Sequence, residues 1–371
     1  MNKKFAKVYF LSAIMVALFL ALINWNNTPI REKINNMPIG ILRPFIIPEL
    51  DRNPVVLSDP TEKFELKIHD EGILMYINNG GTGYRYGPSI MKHEDGSMDA
   101  WFSSPGNSRN QWDWIMYRHS DDGIHWSGES IVLKPTANSS DQCSVCDPGV
   151  IYFNGYYYLG YTSTYDYARR GANNSAFVAR STTPYGPFEK WNGSGWGGYP
   201  QPIIKYEGDP SGWGIGEISF VIYGDDLFIY YTHFDPTGGY TGLAKADLTD
   251  DWPLTIRNKG LVCGVNSRDS LDVVYDETQE RFMAFAVKNR MSESSEIAMY
   301  VSRNGKEEFE EVTDTKTYVS SYAHNMGIAK DEQGHIKSDE TQLIGYAFGP
   351  RWGRWSTRFQ DMDIKYTLEY K

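Results

Sequence analysis

The chain has 371 residues, enough for one large domain or two average ones, and 15% of them are aromatic, with 26 Tyr, 11 Trp and 35 Gly. That mixture suits short strands joined by tight turns and argues against a helical protein. A net charge of −11, with 36 basic and 47 acidic residues and no basic stretch, excludes nucleic acid as the expected partner.

In chain order, Lys3, Lys4 and Lys7 precede an uncharged apolar run from Val8 to Ile23, with Trp25 at its far edge. This is the pattern of a signal peptide or an N-terminal anchor. Asn24-Trp25-Asn26-Asn27 offers no small-residue cleavage site. The run with its flanking Phe5 and Trp25 approaches the roughly 20 residues that span a bilayer. A signal anchor over 1–25 is therefore expected, with the membrane as a partner and the rest of the chain outside the cytoplasm, or secreted if the segment is cleaved. Residues 26–60, rich in Asn, Pro and Ile without periodicity, read as a spacer, and the folded domain is expected over 61–371. Its first strands are expected at Phe64–Ile68 and Ile73–Ile77.

Cys146 to Thr164 contains the clearest local signal. A short apolar run, Val150 to Phe153, meets Asn154-Gly155 and returns through the aromatic Tyr156–Tyr161. Asn-Gly between two strand-like runs predicts a hairpin, because both residues tolerate positive φ. Asp147-Pro148 stands just ahead of the first strand. Cys143 and Cys146 have C-x-x-C spacing, but no second pair or nearby His completes a zinc site. They read as two partly buried thiols or one local disulfide.

Taking this hairpin as a template, the chain repeats it. Glu217 to Tyr231 matches it position for position. Asp269 to Asp276 followed by Arg281 to Ala286 is a copy with a longer turn. Gly87 to Met91 with Ala100 to Phe102 is an earlier copy, and His324 to Ala329 with Leu343 to Ala347 is a last one. The five leading residues are Gly87, Asp147, Glu217, Asp269 and His324. Most copies also carry a third strand and a closing segment, such as Ile115 to Trp126 or Ala176 to Trp191. About four short strands per repeat of roughly fifty to seventy residues predicts an all-β fold, a five-bladed β-propeller. The inner strands of such blades line one axis, so the leading residues are expected to converge on one pocket. Carboxylates gathered there repel one another and separate their pKa values, which suits paired acid and base work.

Asp147-Pro-Gly-Val-Ile-Tyr-Phe-Asn-Gly-Tyr-Tyr-Tyr-Leu-Gly-Tyr161 resembles the paired strands of the five-bladed propeller glycosidases, chiefly glycoside hydrolase family 43 and, more distantly, families 32, 62 and 117. Ser120 to Trp126 and Ser181 to Glu189 are similar to that group's blade-closing motifs, and the resemblance covers about Tyr84 to Tyr366. It implies an inverting hydrolase with a base from the first blade, an orienting Asp from the third and an acid from the fourth. Here the first position is Gly87, which has no side chain, and the third and fourth are Glu217 and Asp269. Shifting by one blade gives Asp147, Asp269 and His324, which is similar to family 117 with its proposed histidine acid. Both registers stay open, with Asp147, Glu217 and Asp269 as the candidate catalytic set. Asp272 is the substitute for Asp269 if the register slips by three. No cofactor is required; the resemblance allows a structural calcium ion on the axis beside His324.

Each candidate also has a bland role. Asp147 can cap an Asp-Pro turn, Glu217 can pair with an arginine, Asp269 with its neighbour Arg268, and His324 can be a satisfied inner-strand histidine. Trp112, Trp114, Trp196, Trp213, Trp352 and Trp355 lie in loops, where sugars stack their C–H faces on such rings. Trp114, Trp213, Trp352, Arg268, Arg351 and His324 are the expected substrate contacts. The expected function is hydrolysis of an extracytoplasmic oligo- or polysaccharide; the alternative is a noncatalytic carbohydrate-binding propeller.

Overall fold

Asn154 and Gly155 turn the chain as their residue types predict: φ is 50° and 80°, and Phe153 pairs with Tyr156 across them, a two-residue type I′ hairpin. The computed structural model describes residues 61–371 apart from 79–82, 109–110, 170, 263–269, 307–308, 313–316 and 370–371. The expected anchor and spacer lie outside the described residues. Among those described, no helix is long and apolar enough to cross a membrane.

Among the described residues, the hairpin's sheet is one of five four-stranded modules, two of which merge into one eight-stranded sheet. Blade 1 holds Tyr86–Lys92, Met98–Ser108, Gln111–Ser120 and Ser130–Leu133; blade 2 holds Cys146–Phe153, Tyr156–Ser163, Ser175–Ser181 and Glu189–Lys190. Blade 3 holds Gly214–Tyr223, Asp226–Asp235, Gly238–Asp247 and Arg257–Leu261. Blade 4 holds Asp272–Asp276, Arg281–Lys288, Glu296–Ser302 and Glu310–Glu311. Blade 5 takes Ala323–Lys330, Gln342–Phe348 and Ser356–Glu369, and its outermost strand is Thr61–Tyr76 from the start of the domain.

That last strand corrects the sequence reading. Phe64–Ile68 and Ile73–Ile77 are not two separate strands. They form one strand, bent by a register shift between Ile68 and Gly72, and it runs antiparallel to Ser356–Glu369. The two ends of the domain thus complete one blade. Blades 5 and 1 also join directly, Ala329 with Ile90 and Lys330 with Met91 in parallel.

The aromatic content goes into the seams between blades. One apolar cluster lies between each neighbouring pair: Trp101 with Tyr161, Phe220 with Trp252, Tyr230 with Phe282, Met299 with Tyr346, and Phe102 with Phe359 each belong to a different cluster. Burying each such side chain contributes about 1.5–3 kcal/mol. Five seams, rather than one central core, therefore hold the ring of blades together.

Near the axis the blades interlock by hydrogen bonds and close backbone contact. Ser89 Oγ accepts the Val150 N–H (3.1 Å), Ser219 Oγ accepts the Val273 N–H (2.9 Å), and Asp272 Oδ2 accepts the Ile328 N–H (2.9 Å). Where the same position is Gly149, the backbone of Ile218 comes so close that a Cβ would fall 1.9 Å from its carbonyl oxygen. Only glycine fits that approach.

Candidate functional site

Immediately above this interlocked layer, each inner strand opens with a kink. The pairing skips between Tyr86 and Ser89, Cys146 and Gly149, Gly216 and Ser219, and His324 and Met326. Within these kinks Gly87, Asp147, Glu217 and Asn325 take left-handed φ values of 58°, 49°, 51° and 34°, and Ser270 holds the same place in blade 4 at 57°. For a residue with a Cβ this backbone costs of order 1–3 kcal/mol, so the surroundings must hold it. They do so with a repeated device. The N–H groups of Asp147, Glu217 and Ser270 donate to Ser103 Oγ (2.8 Å), Thr162 Oγ1 (2.8 Å) and Thr232 Oγ1 (3.0 Å), each on the second strand of the preceding blade.

The ring is therefore Gly87, Asp147, Glu217, Ser270 and Asn325. Asp147 and Glu217 stand where the repeat put them. In blades 4 and 5 the leading position falls one residue later than expected, at Ser270 and Asn325, because the kink and not the charged residue sets the register. The apolar phase carries that signal: Val150, Phe220, Val273 and Ile328 each follow their lead residue by three. Asp269 and Arg268 lie outside the described residues. Asp272, the substitute, is two residues below the ring and bonded to Lys330 Nζ (2.6 Å).

Asn325 connects the two carboxylates. Its Nδ2 donates to Glu217 Oε1 (3.1 Å) and Asp147 Oδ1 (3.4 Å), while Arg290 donates to its Oδ1 (3.2 Å), which fixes the amide's orientation. Cys146 Sγ donates to Asp147 Oδ2 (3.3 Å). Burial pushes the Cys146 thiol well up, helped by the charges of Asp147 and Asp113, so it remains a thiol. Cys143 and Cys146 are both buried and free, which excludes the local disulfide.

Asp147, Glu217 and Asn325 form the floor of a cavity of about 600 Å³. Trp213 and Trp352 line it as expected from their loops, and so do Trp112 and Trp355. Trp114 does not: it is buried, with Lys134 Nζ 4.5 Å above its ring. Trp196 packs against Trp191 and Tyr158 instead. Arg351 is exposed and outside the cavity wall; the wall's arginine is Arg290.

His324 lies in the wall, 2% exposed, stacked on Trp355 (centroids 4.4 Å apart) and flanked by Tyr86 and Trp352. Neither ring nitrogen has a hydrogen-bond partner. Burial, and then the charge of Arg290, hold its pKa well below the usual value, so it is neutral at pH 7. Such a ring can hydrogen-bond a ligand, but it is not a resident proton donor.

The repeat did not reveal Asp113. It comes from the third strand of blade 1, is buried in the cavity wall, and accepts hydrogen bonds from Ser144 Oγ (2.9 Å) and the Tyr84 hydroxyl. Blade 1 thus brings a carboxylate to the cavity although its lead residue is Gly87.

On the axis below, Lys330 Nζ bonds to Asp272 Oδ1 (2.6 Å), Ser219 Oγ (3.0 Å) and Val273 O (3.3 Å). These oxygens are the donors a calcium ion would need. An ammonium group already among them does not fit a second cation.

No protein-family model matches the chain, and neither does any curated protein sequence. Solved structures do match. A family 117 glycoside hydrolase produced by Zobellia galactanivorans superposes with a TM-score of 0.60 at 17% identity, over 81% of this chain and 90% of that one. An α-L-arabinofuranosidase from Podospora anserina, in complex with cellotriose, gives 0.55 at 10% identity over 83% and 97%. An endo-1,4-β-xylanase from Bacteroides thetaiotaomicron gives 0.52 at 14% over 81% and 99%. The fold is that of the propeller-type glycoside hydrolases.

Proposed function

We propose that this protein is a glycoside hydrolase, and the observation that carries the reading is the pair Asp147 and Glu217, joined by one amide at the floor of an aromatic-walled cavity. A sugar needs that combination: rings for its C–H faces, and two carboxylates for acid and base work at the anomeric carbon. Asp147, which accepts from Cys146 and Asn325, removes a proton from water. The water oxygen bonds to the anomeric carbon as the glycosidic C–O bond breaks. Glu217, the longer side chain, delivers a proton to the departing oxygen. Direct attack by water inverts the anomeric centre, although the amide nitrogen shared at 3.1 and 3.4 Å brings the two bonded carboxylate oxygens to no more than about 6.5 Å, the short edge of the inverting range. His324 and Asp113 hydrogen-bond the sugar's hydroxyls. The expected N-terminal anchor supports action outside the cytoplasm on a glycan that need not enter the cell.

The test is turnover of labelled glycans, arabinan, xylan and agarose among them, by the full chain and by Asp147→Asn and Glu217→Gln. Cleavage with inverted product, lost in both variants, supports the reading; retained configuration overturns the inverting mechanism. The neutral His324 and the side-chain-free Gly87 favour a second reading, a glycan-binding propeller. Binding without turnover of any glycan, unchanged in both variants, would establish that one instead.

A further inference from the structure

Beside the cavity runs a second depression of about 560 Å³, lined by Asn138, Ser140, Gln142, Tyr165, Tyr199 and Gln201. Its aromatic rings are unusually open, with Tyr165 57% and Tyr199 65% exposed. Exposed rings set among amides and hydroxyls offer a sugar stacking faces and hydrogen-bond partners together. Every lining side chain is uncharged at pH 7. Among the described residues of the adjoining loop, the charges of Asp166 and Arg169 pair with each other at 3.8 Å.

One loop, residues 164–169 and 171–174, borders both this groove and the cavity. Gly171 and Asn174 line the cavity, while Tyr165 lines the groove. Asn173 Nδ2 donates to the Tyr165 hydroxyl (3.4 Å), and Gln142 Nε2 donates to the Tyr165 carbonyl (2.9 Å), so that ring is held rather than loose. Tyr167, 47% exposed, meets Trp112 of the cavity wall edge-on at 6.4 Å between centroids. Trp112 N–H in turn donates to the carbonyl of Cys143, the neighbour of Gln142 (3.0 Å). Rings from Trp112 through Tyr167 to Tyr165 and Tyr199 thus lead from the carboxylates to the outer surface.

We propose that this groove holds a neutral polysaccharide chain continuing outward from the unit bound over Asp147 and Glu217. Stacking on the rings and hydrogen bonds from amides and hydroxyls match the two faces of a sugar, and the uncharged lining selects against sulfated or uronic chains. A ligand confined to the cavity would not use this surface. The inference rests on the hydrolase reading only for which unit is cleaved; binding in the groove stands apart from it.

The test is electrophoresis of the full-length protein through gels containing a soluble neutral polysaccharide (arabinoxylan or galactan) or an anionic one (polygalacturonate). Wild type is expected to be retarded by a neutral polymer and not by the anionic one. The double variant Tyr165→Ala, Tyr199→Ala should weaken that retardation at least tenfold, and Tyr165→Phe, Tyr199→Phe should restore it. Hydrolysis of a glycoside too short to leave the cavity should be unchanged in the double variant. Undiminished retardation of the alanine variant, or retardation of wild type by the anionic polymer alone, overturns the proposal. Tyrosine-dependent retardation by a protein that hydrolyses nothing keeps the groove and removes the hydrolase reading.

Discussion

Asp147 and Glu217 on one level of the axis, and Asp272 on the next, are carboxylates in nearly the same place with different surroundings. The upper pair sits on left-handed backbone, shares one amide donor and faces a large cavity. Asp272, two residues further along its repeat, bonds to the ammonium of Lys330 and the hydroxyl of Ser219 and accepts a backbone N–H of the next blade. Between the two levels, in a pocket lined by Asp147 and Glu217 as well as Asp272, only about 30 Å³ is open, room for a single water molecule. What separates a site from a strut here is not the residue type. It is whether the carboxylate faces a large cavity or is bonded to an ammonium group.

Four substitution experiments probe that contrast. The largest effect is expected from Asp147→Asn and Glu217→Gln, which should lower kcat on any hydrolysed glycan by about 10²–10⁴ while the midpoint of urea unfolding scarcely moves. Lys330→Met should do the reverse. It leaves the largely buried Asp272 without its cation, a loss of about 3–5 kcal/mol in denaturant titration, with kcat of the folded fraction near wild type. If Lys330→Met instead abolishes turnover in folded protein, the two levels are not separate.

Asn325→Leu sharpens the contrast at the ring itself. Without their shared donor the two carboxylates are harder to ionise, so the acid limb of the pH–rate profile should move to higher pH, with a roughly tenfold loss in kcat. An unmoved limb would show that Asn325 only packs.

His324 gives a smaller effect that appears in stability. Its folded pKa lies below the unfolded value near 6.5, so the unfolded chain binds the extra proton as pH falls. The stability cost is absent above pH 6.5 and grows by about 1.4 kcal/mol for each pH unit below it, until the folded pKa is reached. His324→Gln should flatten that slope between pH 6.5 and 5 in denaturation curves. His93, beside the buried Asp99, has its pKa raised by that hydrogen bond. It contributes in the opposite sense, its stability present below pH 6.5 and lost as pH rises through its folded value.

Much of this molecule is written locally. Strand alternation, the Asn154-Gly155 turn and the repeat of a polar residue ahead of an apolar strand are properties of short segments, so five modules were legible, and with them Asp147 and Glu217 as members of one ring. Trp213 and Trp352 were legible for the same reason, as large rings in glycine- or arginine-rich loops. Tertiary structure decided what depends on neighbours far along the chain. A kink shifts a strand by one residue, which moves the lead of blades 4 and 5 to Ser270 and Asn325 although Asp269 and His324 carry the more reactive groups. Thr61–Tyr76 completes the last blade only because Ser356–Glu369 comes to lie beside it. Asp113 and Arg290 reach the cavity from outside the inner strands, and Asp272 meets Lys330 across 58 residues. Sequence patterning specifies which face of a strand is buried. Which charges meet at the axis follows from closing the ring.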